Sequence, residues 1–155
     1  MSRRAGLLAD WLIAIGAVAL FASLFLTWSH QFSARLLALP GARVGLRGVP
    51  ADPTAWQVYT VLDVLLALLA AALALAALAG GRRLRLWLVP FVAVALAFVV
   101  HAVSSPPTNG VRLVNPAAVV PQYLPISPAA GVGETVALIA LVVVLVGIVL
   151  SLASD

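Results

Sequence analysis

The sequence predicts an all-α membrane domain: a four-helix transmembrane bundle with two long extracytoplasmic loops, the first holding a short β-hairpin. Three observations lead there. Of the 155 residues, 64% are hydrophobic and 9% charged, whereas a soluble domain carries about half and about a quarter. The apolar residues gather into four runs, each close to the ~20 residues that cross hydrocarbon. One short Arg-rich turn and two longer polar stretches separate them. The spacing places the spans at about 7–28, 53–79, 86–103 and 132–152, in a single domain over 1–155.

Span 1 follows Arg3 and Arg4 and runs apolar from Leu7 to Leu26. It is longer than a signal-peptide core, and no A-x-A cleavage pattern follows, so it reads as an uncleaved span. Trp11 and Trp28 bracket it, about 26 Å apart along a helix, as an aromatic belt requires. The loop from Ser29 to Pro50 contains two short runs around Pro40-Gly41, the expected hairpin.

Span 2 opens on Asp52 as N-cap and Pro53 as first helical residue, with Trp56 and Tyr59 at the interface. Gly80-Gly81 ends it, and the turn GGRRLR makes spans 2 and 3 antiparallel neighbours. Trp87 anchors span 3, and Pro90 falls in or just after its first turn. Six prolines fill the loop from Ser104 to Gly131, arguing for an extended segment. Span 4 then runs almost to the C-terminus.

Arg3, Arg4, Arg82, Arg83 and Arg85 lie in short segments on one side, while Arg35, Arg43, Arg47 and Arg112 are spread over the long loops. Density near span ends puts both termini and the Arg82 turn in the cytoplasm. Each half reads as span, long loop, span, which fits either a parallel repeat or two ordinary hairpins.

The spans carry few reactive groups. Asp63 lies seven residues after Trp56, just inside the outer boundary, and an ionisable residue there should face the protein. Trp56, Asp63, Ala70 and Ala77 form one row, and Thr60, Ala67, Ala74 and Gly81 the next. Such a small-residue seam admits a neighbouring helix, leaving Leu62, Leu66, Leu69 and Leu73 for lipid. Span 1 repeats the plan with Gly16, Ala19, Ser23 and Thr27, span 3 with Ala93, Ala97 and His101, and span 4 with Gly133, Ala137 and Ala140 beside Glu134. Ser23, Thr27, Asp63, His101 and Glu134 are therefore expected to converge as a polar cluster in the outer half. That cluster could satisfy itself, a loop Arg such as Arg112, or backbone groups. It could bind a proton or cation. A metal set of Asp63, Glu134 and His101 is the third reading, without supporting motif spacing. Asp10 is expected to pair locally with Arg3 or Arg4 or to meet headgroups, and His30 to be solvated.

No cysteine is present, which removes disulfides, thiolate metal sites and cysteine nucleophiles. P-loop, G-x-S-x-G, G-x-G-x-x-G and paired-His patterns are missing, so no enzyme, metal centre or cofactor is expected. The net charge of +4 comes from span-flanking Arg rather than a nucleic-acid face. The order FLTW, long loop, TAWQ, LD with LLAL, basic turn and PAAGVGETVALIAL resembles small four-span membrane proteins of actinobacterial type. That resemblance, carried by Trp28, Ala55-Trp56 and Asp63, implies the topology and brings no activity. The layout is also loosely similar to claudin-like tetraspans, without their Gly-Leu-Trp and Cys pattern. The expected function is that of a non-enzymatic accessory or interaction subunit. Its partners would be the lipid bilayer and other membrane subunits or further copies of itself. A small proton- or cation-linked transporter is the alternative.

Overall fold

The computed structural model describes residues 3–31, 52–59, 61–79, 81–106 and 129–154. It is mostly helical. In chain order the elements are α1 (Arg3–Ser23), β1 (Ser29–His30), α2 (Ala55–Val58), α3 (Leu62–Ala79), α4 (Arg82–Ser104), β2 (Ala129–Ala130) and α5 (Val132–Ser154). Four of these, α1, α3, α4 and α5, are long and apolar enough to cross a membrane. The chain is a multi-pass membrane protein built as a bundle. The expected hairpin around Pro40-Gly41 lies outside the described residues.

Around the bundle the order is α1, α5, α4, α3. The first and last helices pack most extensively, and glycine is the reason. A Cβ on Gly16 would stand 2.5 Å from Val144 Cγ2 and 2.9 Å from the Ala140 carbonyl. One on Gly147 would stand 2.8 Å from Ile13 Cγ1 and 3.0 Å from the Ala9 carbonyl. With no side chain at either place the two backbones close on each other, as small residues allow between membrane helices. Helices α3 and α4, joined by the short connection between Ala79 and Arg82, pack less closely than the other neighbouring pairs of long helices. A tight connection dictates adjacency at one end only; packing along the length is set by the side chains between.

Three of the spans differ in their bounds from the sequence expectation. Span 1 ends at Ser23, not Trp28. Leu24, Phe25 and Leu26 each donate to the carbonyl three residues back (3.1–3.2 Å), a tightened turn that leads the chain inward. Span 2 is broken: α2 starts after Thr54, not Asp52, and closes with the Tyr59 N–H on the Ala55 carbonyl (2.8 Å). Tyr59 is extended (φ −121°, ψ 111°), and the membrane helix begins only at Leu62. The β-branched Val58 and Val61 at this junction are weak helix formers. Span 3 starts four residues earlier than expected, at Arg82, so Pro90 is interior to α4.

At the end opposite the Gly80-Gly81 turn, called the loop end below, backbone bonds knit the connections together. β1 pairs antiparallel with β2, Ser29 opposite Ala130 and His30 opposite Ala129, and Thr27 bridges Thr54. The Trp28 N–H donates to the Pro53 carbonyl (2.9 Å), the Gly131 N–H to Trp28 (2.9 Å), and the Gly133 N–H to Thr27 (2.7 Å). The start of the first loop is thus tied to the ends of both loops.

Candidate functional site

The inward faces of the long helices carry their polar residues near the helix ends and are apolar between. On α3 the buried residues are Asp63, Leu66, Ala70, Leu73 and Ala76. This spacing of three and four turns Leu66 and Leu73, expected to meet lipid, into core. On α5 the buried row begins at Gly133 and Glu134, passes Ala137, Leu141, Val144 and Ile148, and ends at Ser151. Helix α4 starts its inward face at Arg85 and continues through Leu88, Val92, Ala95, Val99 and Ala102.

That row corrects the reading of span 3. Ala93, Ala97 and His101, expected to form its inner seam, are all exposed. Small size marks where a backbone can approach, but α4 meets its neighbours through Leu88, Val92, Ala95, Val99 and Ala102, so Ala93 and Ala97 are left outside. His101 therefore does not join the cluster expected around Asp63 and Glu134. Thr27 has left the helix for the bridge to Thr54 and is half-buried. Ser23 is buried beside the cluster, but its hydroxyl donates to its own helix at the Leu20 carbonyl (2.6 Å).

Asp63 and Glu134 are fully buried, 0% exposed each, and neither carboxylate has a hydrogen-bond partner among the described residues. The Gly131 N–H lies close to Glu134 but is spent on the Trp28 carbonyl. Both acids stand in the first turn of their helices, where the N-terminal dipole favours negative charge. Burial opposes it, since an ionised carboxylate without a partner is costly in an apolar interior.

An aromatic group flanks them. Tyr59 meets Trp28 and Phe98 edge-on, with centroids 5.9 Å and 5.1 Å apart, and Trp28 stacks on Phe98 at 6.5 Å. Burial pushes the Tyr59 phenol up to about 12, and the nearby carboxylates of Glu134 and then Asp63 push it the same way. The phenol is therefore neutral. Trp28, expected in the interfacial belt, is instead completely buried, and its Nε1–H donates to the Ser23 carbonyl (2.7 Å). The Cβ that Gly133 lacks would stand 2.5 Å from Trp28 Cδ1, so this glycine makes room for the indole. The other three tryptophans, Trp11, Trp56 and Trp87, are exposed on the outside.

The turn end holds the opposite arrangement. Arg85 Nη2 donates to Asp10 Oδ1 at 2.5 Å, and Nη1 donates to the Ser151 hydroxyl. Arg85 is buried while the Asp10 side chain is 35% exposed. Asp10, expected to find Arg3 or Arg4 on its own helix, has reached across to α4. The charge came from Arg85, which the sequence counted only as a topological marker. Its spacing from Leu88 and Val92 on one helical face was the available signal. His30, expected to be solvated, is exposed and pairs with Asp52 through Nδ1 and Oδ1 at 2.6 Å.

Among the described residues no group of three or more His, Cys, Asp or Glu side chains is placed to hold a metal ion. Comparison with protein-family models, curated proteins and solved structures returns no match to this chain.

Proposed function

We propose that this protein is a non-enzymatic subunit of a membrane assembly, with both termini and the Arg82 turn in the cytoplasm and the long loops outside. One observation carries the reading: the bundle is filled by apolar side chains between its two polar ends. From Glu134 to Ser151 along α5 is about 25 Å at 1.5 Å per residue. Over that length the inward faces are Ile13, Ala17 and Leu20 of α1, Leu66, Ala70 and Leu73 of α3, Val92 and Ala95 of α4, and Ala137, Leu141 and Val144 of α5. A conduit through the bundle needs polar or hydrated groups along its path, and this core supplies hydrocarbon. Helices α3 and α4 are joined at the turn end by a short connection, whereas the segments between spans at the loop end are longer in sequence.

Purification from native membranes in mild detergent tests this reading. A stoichiometric second polypeptide that stays with the chain supports it. A lone chain or homo-oligomer that carries pH-dependent ion flux in vesicles overturns it in favour of transport.

A further inference from the structure

The two acids at the loop end need an explanation of their own. They do not hold the helices: that end is fastened by the β1–β2 pair and by the bonds of Trp28, Gly131 and Gly133. Among the described residues they do not answer a cation either. Arg85 is committed to Asp10 and Ser151 at the other end, His101 is on the outer surface of α4, and His30 is paired with Asp52. The neighbouring α1 contributes Ser23, whose hydroxyl is turned to Leu20, and the segment before α3 contributes the neutral Tyr59. Yet both carboxyl groups are completely enclosed, and none of their four oxygens has a hydrogen-bond partner among the described residues.

A ligand for them must be small, positive and undemanding. Calcium takes about six to eight oxygens and magnesium about six in strict octahedral array. Among the described residues no group of three or more His, Cys, Asp or Glu side chains is placed to supply such a shell. A proton needs one oxygen. The two carboxyls stand on α3 and α5, on opposite sides of the bundle, and both lie near the Tyr59 phenol.

We propose that Asp63 and Glu134 are two proton-binding sites, each holding one proton inside the bundle beside the Trp28–Tyr59–Phe98 group. The protons exchange at the loop end, because the core below is apolar. The sites are independent of whether the protein works as a subunit.

Infrared spectroscopy of the whole protein in lipid nanodiscs tests this. Glu134 is the chain's only glutamate, so glutamate isotope-labelled at the side-chain carboxyl reports it without mutation. Labelled aspartate, compared between wild type and Asp63→Asn, reports Asp63. At neutral pH the labelled glutamate is expected to show the protonated carboxyl stretch, and labelled aspartate to show one such band that Asp63→Asn removes. Adding sodium or calcium should leave both bands in place. Carboxylate stretches at both positions at neutral pH would overturn the proposal. So would loss of either protonated band on adding sodium or calcium, which would make that site a metal-cation site. Should Asp63→Asn fail to fold, Asp63→Leu removes the same band.

Discussion

At the turn end of the bundle a buried charge is answered by an opposite charge; at the loop end two buried acids are answered by no side chain among the described residues. Both ends carry ionisable groups on inward faces, but they contribute differently. Arg85 ties three helices together through Asp10 on α1 and Ser151 on α5. At the loop end the tying is done by backbone bonds and a buried tryptophan. The comparison teaches that a polar residue in a span is no index of a fastening role. The partner, not the residue, decides.

Breaking the turn end should have the largest effect. Asp10→Ala leaves the Arg85 guanidinium buried with only Ser151, and an uncompensated buried charge costs about 3–5 kcal/mol. Arg85→Met should cost less, because Asp10 is 35% exposed and can turn to water. The midpoint of unfolding in mixed micelles of increasing dodecyl sulfate fraction measures both, and equal losses would show that the pair is not asymmetric.

The seam that joins the two ends comes next. Gly16→Val puts methyl groups against Val144 and the Ala140 carbonyl, where even a Cβ is too close. Overpacking of this kind costs about 1–3 kcal/mol. The same titration reads it, and Gly6→Val, with nothing within 4 Å of its Cβ, serves as the control that should move the midpoint little.

Much of this architecture was legible before any coordinates. Four apolar runs and the Gly80-Gly81 turn fix the number of helices and their alternation, because hydrocarbon admits little else. Burial of Asp63 and Glu134 was expected on the same ground. The inward face of α4 was not legible, since Ala93, Ala97 and His101 make as regular a stripe as Arg85, Leu88, Val92 and Val99. Periodicity finds a face but does not say whether lipid or protein meets it when nearly every residue is apolar. Trp28 was misassigned for a related reason: a tryptophan at a span end suits the interface and the interior alike. The tightened turn at residues 24–26, together with the Gly131 and Gly133 bonds to the Trp28 and Thr27 carbonyls, decides between them.

At the loop end, Trp28→Phe keeps the aromatic stacking and removes the Nε1–H bond to the Ser23 carbonyl. A buried hydrogen bond of this type contributes about 1 kcal/mol net. The loss should appear as a modest shift of the unfolding midpoint, smaller than that of Gly16→Val. A shift as large as that of Asp10→Ala would show that the indole bond, and not the backbone ties, holds this end.

The smallest effect belongs to the acids themselves, and it is the sharpest test of the comparison. Asp63→Leu and Glu134→Leu remove carboxyl groups that accept no hydrogen bond among the described residues and replace them with apolar groups of similar size in an apolar site. Where a buried polar group has no partner, nothing is orphaned by its removal, so the cost of its desolvation is relieved and no contact is lost in exchange. Each substitution should therefore leave the unfolding midpoint within about 1 kcal/mol of the wild type, or raise it. A destabilisation comparable to Asp10→Ala would mean that each carboxyl is answered after all, and the two ends would then be held by the same device. Stability retained at Asp63 and Glu134, beside stability lost at Asp10, would leave folding with no use for the two acids and place them with what the protein binds.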